Sequence, residues 1–294
     1  TSRVAVNRSW QHFFGAGLVR TPENFGAQGE VPTHPELLDW LAVEFIENGW
    51  NVKALLKLIT MSTTYQQSSL TTSHLLALDP ENRLLARAPR LRLTAFAIRD
   101  QALFASNLLV EKQYGPPAKP YMPPKIWSAI SNNKYKRDTG DNLYRRSLYT
   151  YWRRTIPPPT MMTFNAGDRE VCTIQQSRTN TPLQALTLMN NVAFVEASRF
   201  LAERMLRTEG SSTEKIAAGY RVVSGRTPSK ETTERLSQDY EAYRSDFKDT
   251  PDKAAELLKI GDKAYNQDLN PTDLAAMTIV ATTILNLDES LTRE

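Results

Sequence analysis

Apolar residues recur at helical spacing in run after run of this chain. Over residues 3–14, Val6, Trp10, Phe13 and Phe14 share one face of a helix that Gly15 and Gly17 end. Residues 18–31, rich in Gly, Pro and Asn, read as a loop. Thr33-His34-Pro35-Glu36 has the form of a capping box, opening a helix with Leu37, Leu38, Leu41 and Phe45 inward and Gly49 as its stop. Asn51 caps a shorter helix with Val52, Leu55, Leu56 and Ile59 inward, and the short loop makes the two an antiparallel pair. Asp79-Pro80-Glu81-Asn82 predicts a further helix start. Residues 93–108 predict a longer helix with Leu93, Phe96, Ala97, Leu103 and Phe104 on its apolar face. Asp100 falls on that same face, which predicts a buried carboxylate.

The strongest helix start is Thr181-Pro182, with Gln184 as the partner that closes a capping box. Leu183, Leu186, Ala193, Phe194, Ala197, Leu201 and Met205 follow at helical spacing, as one long helix or as two broken near Asn190 and Asn191. We expect this segment to be the buried axle of the fold. Helices are also expected over residues 213–223, 228–246 and 270–287, with a short one from Thr250-Pro251. Residues 111–142, with prolines at 116, 117, 120, 123 and 124, read as an irregular insertion. RRSLYTYWRRT, residues 145–155, alternates and is rich in aromatic and β-branched types, so it predicts a strand, paired with a short strand in 109–118. The expected class is mainly α, a multi-helix bundle-like domain with a small β element near 145–155. Its parts are a helical 1–110, a Pro-rich insertion and strand over 111–160, and a helical 161–294, all in one compact domain.

Composition narrows the chemistry. The 294 residues carry a net charge of +4 from 36 basic and 32 acidic side chains, too nearly balanced to point to nucleic acid. One cysteine excludes an internal disulfide, a four-cysteine metal site and a haem-attachment motif within this sequence. The most apolar late stretch, residues 274–287, falls short of the roughly 20 residues a bilayer span needs. No apolar leader follows the opening TSRVAVNRSW, and we expect a soluble piece of a longer protein. No H-E-x-x-H, G-x-S-x-G or glycine-rich phosphate loop occurs, so no metal or cofactor site is expected in this chain.

Three groups of polar residues remain as candidates. Asp168, Arg169, Glu170, Cys172, Arg178 and Asn180 cluster ahead of the helix start at Pro182, where an anionic group or a catalytic cleft could form. His12 and His34 are further catalytic candidates, though a solvated face and a cap position account for them more simply, and Cys172 reads more simply as a packed thiol. Arg145, Arg146, Arg153 and Arg154 surround Tyr149, Tyr151 and Trp152, a pattern suited to an anionic glycan or a single strand of nucleic acid, against the simpler reading of arginines paired with carboxylates. Asp100 needs a cation or several donors if buried; Arg169 or Arg178 is expected to meet it, with Asn180 and Asn190 completing a polar network.

The strings VNRSWQHFFGAGLVRTPENFG, TYQQSS, DPENRLLAR, RRSLYTYWRRTIPPP, REVCTIQQSRTNTPLQALTLMNN and LNLDESLTRE together resemble the planctomycete-specific domain of unknown function. That domain lies at the C-terminal end of large exported proteins. The resemblance implies periplasmic or cell-surface placement, partnership with neighbouring domains, and haem only in a separate cytochrome c domain. It also implies an association with polysaccharide-degrading enzymes, and it supplies no catalytic residues. Two departures stand out: Tyr114-Gly115-Pro116-Pro117 replaces a Gly-Gly-Pro-Ser-like turn, and Asn165 stands where an aspartate is usual. The expectation is a docking or binding module, one whose ligand could be an anionic polysaccharide; the alternative is an enzyme with a polar cleft near Asp168–Asn180.

Overall fold

The computed structural model describes residues 1–130, 134–167 and 169–293. Among these, α1 (Ser2–Phe14), α2 (Pro35–Glu47), α3 (Val52–Thr60) and α4 (Ser73–Leu78) come first. Next are α5 (Ala95–Ala105), α6 (Ile126–Ile130), α7 (Pro159–Thr163), α8 (Pro182–Asn190) and α9 (Val192–Leu206). The chain closes with α10 (Ser212–Ser224), α11 (Lys230–Asp249), α12 (Pro251–Leu258), α13 (Pro271–Asn286) and α14 (Asp288–Leu291). Two-residue strands, β1 (Leu91–Arg92) and β2 (Thr292–Arg293), pair as a small sheet. The fold is mainly α, as the spacing implied.

The described chain forms two compact units, one of residues 1–91, 172–175 and 292–293, the other of 92–171 and 176–291. In the first, α1 packs on α2 and α3 around Val6, Trp10, Phe14, Leu18, Leu38, Leu41, Phe45, Leu55 and Ile59. The buried Asn7 side chain bonds both backbone groups of Val19, which fixes the turn after α1. Two local expectations fail here. At α2, His34 takes the cap position without a side-chain bond, because the Thr33 hydroxyl donates instead to the Leu18 carbonyl at 3.3 Å. Residues 79–82 start no helix: Asn82 and Leu85 hold left-handed φ of 52° and 55°, which a helix cannot continue through. Short α4 forms just upstream, with Thr72 accepting from the Leu75 N–H.

In the second unit α9 and α13 pack along one another at the centre, and α5, α8, α10, α11 and α12 pack around them. Fully buried alanines on both helices (Ala197 and Ala202, Ala275, Ala276 and Ala281) keep their side chains from holding the backbones apart. The axle is therefore α9 with α13, not the whole segment after Asn180. Asn191, at ψ 132°, breaks the run, and its side chain caps α9 through the Ala193 N–H. The break resets the helical phase, so Leu183 and Leu186, expected inside, are 61% and 56% exposed. No strand runs through 145–155. A 3-10 helix at Gly140–Tyr144 precedes it and a single 3-10 turn at Ser147–Tyr149 lies within it, with isolated bridges from Val110 to Arg145 and from Ala118 to Thr150. The short strand expected in 109–118 does not form either: only Val110 and Ala118 make single bridges, and the Arg145 and Tyr149 side chains turn in to bond the backbone of 112–116 in place of a continuous ladder.

Candidate functional site

The arginine-rich segment expected to meet a glycan puts its first arginine to internal use. Arg145 is buried; its guanidinium donates to the carbonyls of Pro116 (2.7 Å), Lys112 (3.1 Å) and Tyr114 (2.6 Å) and stacks 4.1 Å from the Tyr149 ring centroid. It offers nothing to an anion. Arg146 is exposed and lies 3.7 Å from Asp100, Arg153 sits over the Trp127 ring, and Arg154 is exposed.

Asp100 finds partners other than those expected. Its Oδ1 accepts the Ser147 N–H at 2.7 Å. Neighbouring Arg99, buried with its pKa lowered by desolvation to about 10, donates to Leu143 and Arg145 carbonyls and to the Ser147 hydroxyl. The pair clamps residues 143–147. Asn190 bonds only its own helix at the Leu186 carbonyl, and Asn180 accepts from Arg92 at 3.0 Å. The network of Asp100 with Arg178, Asn180 and Asn190 does not form, because the backbone of 143–147 supplies the donors closer at hand.

Of the cluster ahead of Pro182, Asp168 lies outside the described residues. Arg169 holds a φ of 65° with its guanidinium 4.7 Å from the Trp152 ring centroid. Residues 169–180, including Glu170, Cys172 and Arg178, are exposed, so the Cys172 thiol is not packed. His12 is exposed and His34 half-buried, its Nδ1 3.1 Å from the Thr33 hydroxyl. The chain just beyond is organised by Gln184, fully buried. Its Oε1 accepts from Arg92 at 2.6 Å and from the Thr181 N–H, while its Nε2 donates to Thr163 O and Asn165 Oδ1. Asn165 Oδ1 also accepts from Thr179 Oγ1 at 2.7 Å, so this amide does as an acceptor what an aspartate there would do.

A second buried centre went unread in the sequence. Glu196, on α9 and 1% exposed, accepts from Tyr144 (2.9 Å), Tyr121 (2.8 Å), and the N–H groups of Asp262 (2.7 Å) and Lys263 (2.9 Å). Burial first, then the Glu196 carboxylate, push the phenols of Tyr121 and Tyr144 up, which keeps both as donors. Arg199, one turn on, sits 3.8 Å from both Glu196 and Glu203 and donates to Lys263 O at 2.7 Å. These groups pin residues 260–266 to α9. Gly261, at φ 111°, lies where any Cβ would strike the Glu196 side chain.

A cleft of about 260 Å³ lies within the first unit. Trp10, Phe14 and Leu18 give it apolar walls, and Arg20, Arg83, Arg87 and Arg90 line it with Glu81. Glu81 pairs with Arg20 at 3.1 Å and lies 3.8 Å from Arg83. Its rim is the loop misread as a helix start. Asp79 organises that loop, accepting the N–H of Arg83 and of Leu84 at 2.8 Å each, and the Leu84 bond above all holds its carboxyl below the usual range. Arg87, 9% exposed, donates from Nη2 to the carbonyls of Asp79 and Pro80, while its Nη1 is buried with no partner. Asn82 donates from Nδ2 to the Arg87 carbonyl at 2.8 Å, and its Oδ1 is likewise buried without a partner. Among the described residues no group of three or more His, Cys, Asp or Glu is placed to hold a metal ion.

A family model, "PSD1: Protein of unknown function (DUF1553)", matches residues 1–240. The chain belongs to the PSD1 family. The match takes in the whole arginine-lined cleft, the Gln184 hub and the Glu196 cluster's α9 residues. It stops within α11, so the PSD1 model reaches neither α13 nor LNLDESLTRE, the last string of the resemblance. No curated protein and no solved structure shows significant similarity to this PSD1 chain. Its helices include none long and apolar enough, among the described residues, to cross a membrane.

Proposed function

We propose that this PSD1 chain is a binding module of an exported protein, docked beside neighbouring domains, and that its cleft takes the anionic group of a polysaccharide. One observation carries the reading: four arginines, at positions 20, 83, 87 and 90, line a single cleft. A guanidinium so placed favours a carboxylate or sulfate oxygen over water. The competing reading is an enzyme centred on residues 169 to 180, whose described side chains are exposed.

Affinity electrophoresis of the full chain tests the proposal, with polygalacturonate, a sulfated galactan and neutral dextran in separate gels. Retardation by an anionic polymer that is lost in Arg87→Gln supports it. Retardation that survives Arg87→Gln but is lost in an Arg153→Gln/Arg154→Gln double variant would move the binding surface to the 145–155 segment. Equal mobility in all gels overturns it.

A further inference from the structure

We infer that the ligand's oxyanion enters between Arg20 and Arg83, and that the Glu81 carboxylate holds this place until the ligand displaces it. This rests on the anion reading above and adds to it the two arginines that meet the charge and a built-in competitor for them. One atom, Glu81 Oε2, lies 3.1 Å from Arg20 Nη1 and 3.8 Å from Arg83 Nη1. Two guanidinium groups far apart in sequence thus converge on a single carboxylate oxygen, and all three residues line the cleft. Glu81 is 58% exposed, and the Arg20 and Arg83 side chains both keep contact with solvent, so a ligand can reach them. Arg87, by contrast, turns its Nη2 to the carbonyls of Asp79 and Pro80 and shapes the loop that carries Glu81 and Arg83.

The chemistry that holds Glu81 is the chemistry that would hold a ligand. A guanidinium donates to either oxyanion, and only one of them fits between the two arginines. A uronate carboxylate repeats the group already there, and a sulfate ester offers equivalent oxygens. An exposed ion pair contributes little, because both partners are well hydrated when apart. Opening it is therefore cheap. The Glu81 side chain can swing out on its own torsions while the Arg83 and Leu84 N–H bonds to Asp79 keep the loop backbone in place. Glu30, 3.5 Å from Arg83 Nη1, stays beside Arg83 when Glu81 leaves, so the charge freed is chiefly that of Arg20.

Affinity electrophoresis of the full chain over a range of polymer concentrations, with polygalacturonate and with a sulfated galactan, gives a dissociation constant for each. Glu81→Gln is expected to tighten binding of at least one polymer by roughly three- to tenfold, since each ion-pair contact it removes competes by a factor of up to about five. The larger gain names the group, carboxylate or sulfate, that takes the place of Glu81. Arg20→Gln is expected to weaken binding and, combined with Glu81→Gln, to cancel the gain. Glu47→Gln, at an exposed position of α2 outside the cleft lining, makes the same change in net charge and is expected to leave binding unaltered. A melting temperature close to wild type is the folding control for each variant. Wild-type binding that Glu81→Gln leaves unchanged or weakens overturns the inference and leaves the anion reading standing, as does an equal gain from Glu47→Gln. Binding of neither polymer by the wild-type and the Glu81→Gln chains overturns both.

Discussion

Glu196→Gln changes one atom of the buried cluster on α9, and its cost can be worked from the contacts. The carboxylate accepts four hydrogen bonds between 2.7 and 2.9 Å, two from phenols and two from backbone N–H groups. Bonds to an ionised acceptor contribute about 1.5–3 kcal/mol and neutral ones about 0.5–1.5, so losing the charge weakens each by roughly 1 kcal/mol. The amide nitrogen can face Tyr121, whose hydroxyl can turn to accept, so no bond need be lost outright. Arg199, 1% exposed, then keeps only Glu203 as a counter-charge, and breaking a buried pair costs about 3–5 kcal/mol. The two estimates agree on a loss of about 3–5 kcal/mol, which at about 2–4 °C per kcal/mol lowers the melting temperature by about 6–20 °C. Differential scanning calorimetry reads this directly. Tyr144→Phe on top of Glu196→Gln is expected to cost less than Tyr144→Phe in the wild-type chain, because its partner is already weakened. A Glu196→Gln chain melting within about 1 °C of wild type would refute the reasoning.

Alkaline pH lowers stability through buried phenols. Tyr144 is raised well above its unfolded value of 10.0 and Tyr240 is pushed up to about 12, so above pH 10 the unfolded chain sheds protons that the folded chain keeps. Stability from these groups is intact below pH 10 and falls above it by about 1.4 kcal/mol per pH unit for each phenol. Urea titrations at pH 9, 10 and 11 are expected to show the fall, less steep in Tyr144→Phe; a flat profile refutes it. Arg145→Gln removes the group that closes three carbonyls and should cost about 3 kcal/mol or more, read as faster limited proteolysis within 111–116 and a lower melting temperature. Asn165→Asp keeps an acceptor for Gln184 and Thr179 and adds charge near Arg92, so its melting temperature at pH 7 is expected to equal or exceed wild type; a drop of several degrees refutes the acceptor assignment.

Helix positions were legible because caps and periodicity act locally. Thr181 and Gln184 form the capping box their spacing implies, and Asn51 and Asn270 cap as their side chains suggest. What failed was long-range. Leu183 and Leu186 share a helical face with α9 only if the helix runs unbroken, and Asn191 decides that it does not. RRSLYTYWRRT alternates like a strand, but Arg145 reaches carbonyls some 30 residues earlier, which no local pattern records. DPENRLLAR opens like a helix because Asp79 and Pro80 suit both a cap and a tight loop; the left-handed residues that choose the loop carry no glycine to mark them. The arginine-lined cleft was hidden for a similar reason. Its arginines lie at 20, 83, 87 and 90, and only the fold brings position 20 to the others. Charges at the spacing of Glu196 and Arg199 suit a helix surface as well as an interior, and only their burial decides between the two.

Cys172 has a practical consequence. It is the sole cysteine in the 294-residue sequence and it is exposed, at the point where the chain passes from the second unit into the first. A maleimide dye would therefore couple at one address without any engineered thiol, and its emission would report directly on that crossing while ligands are titrated into the cleft.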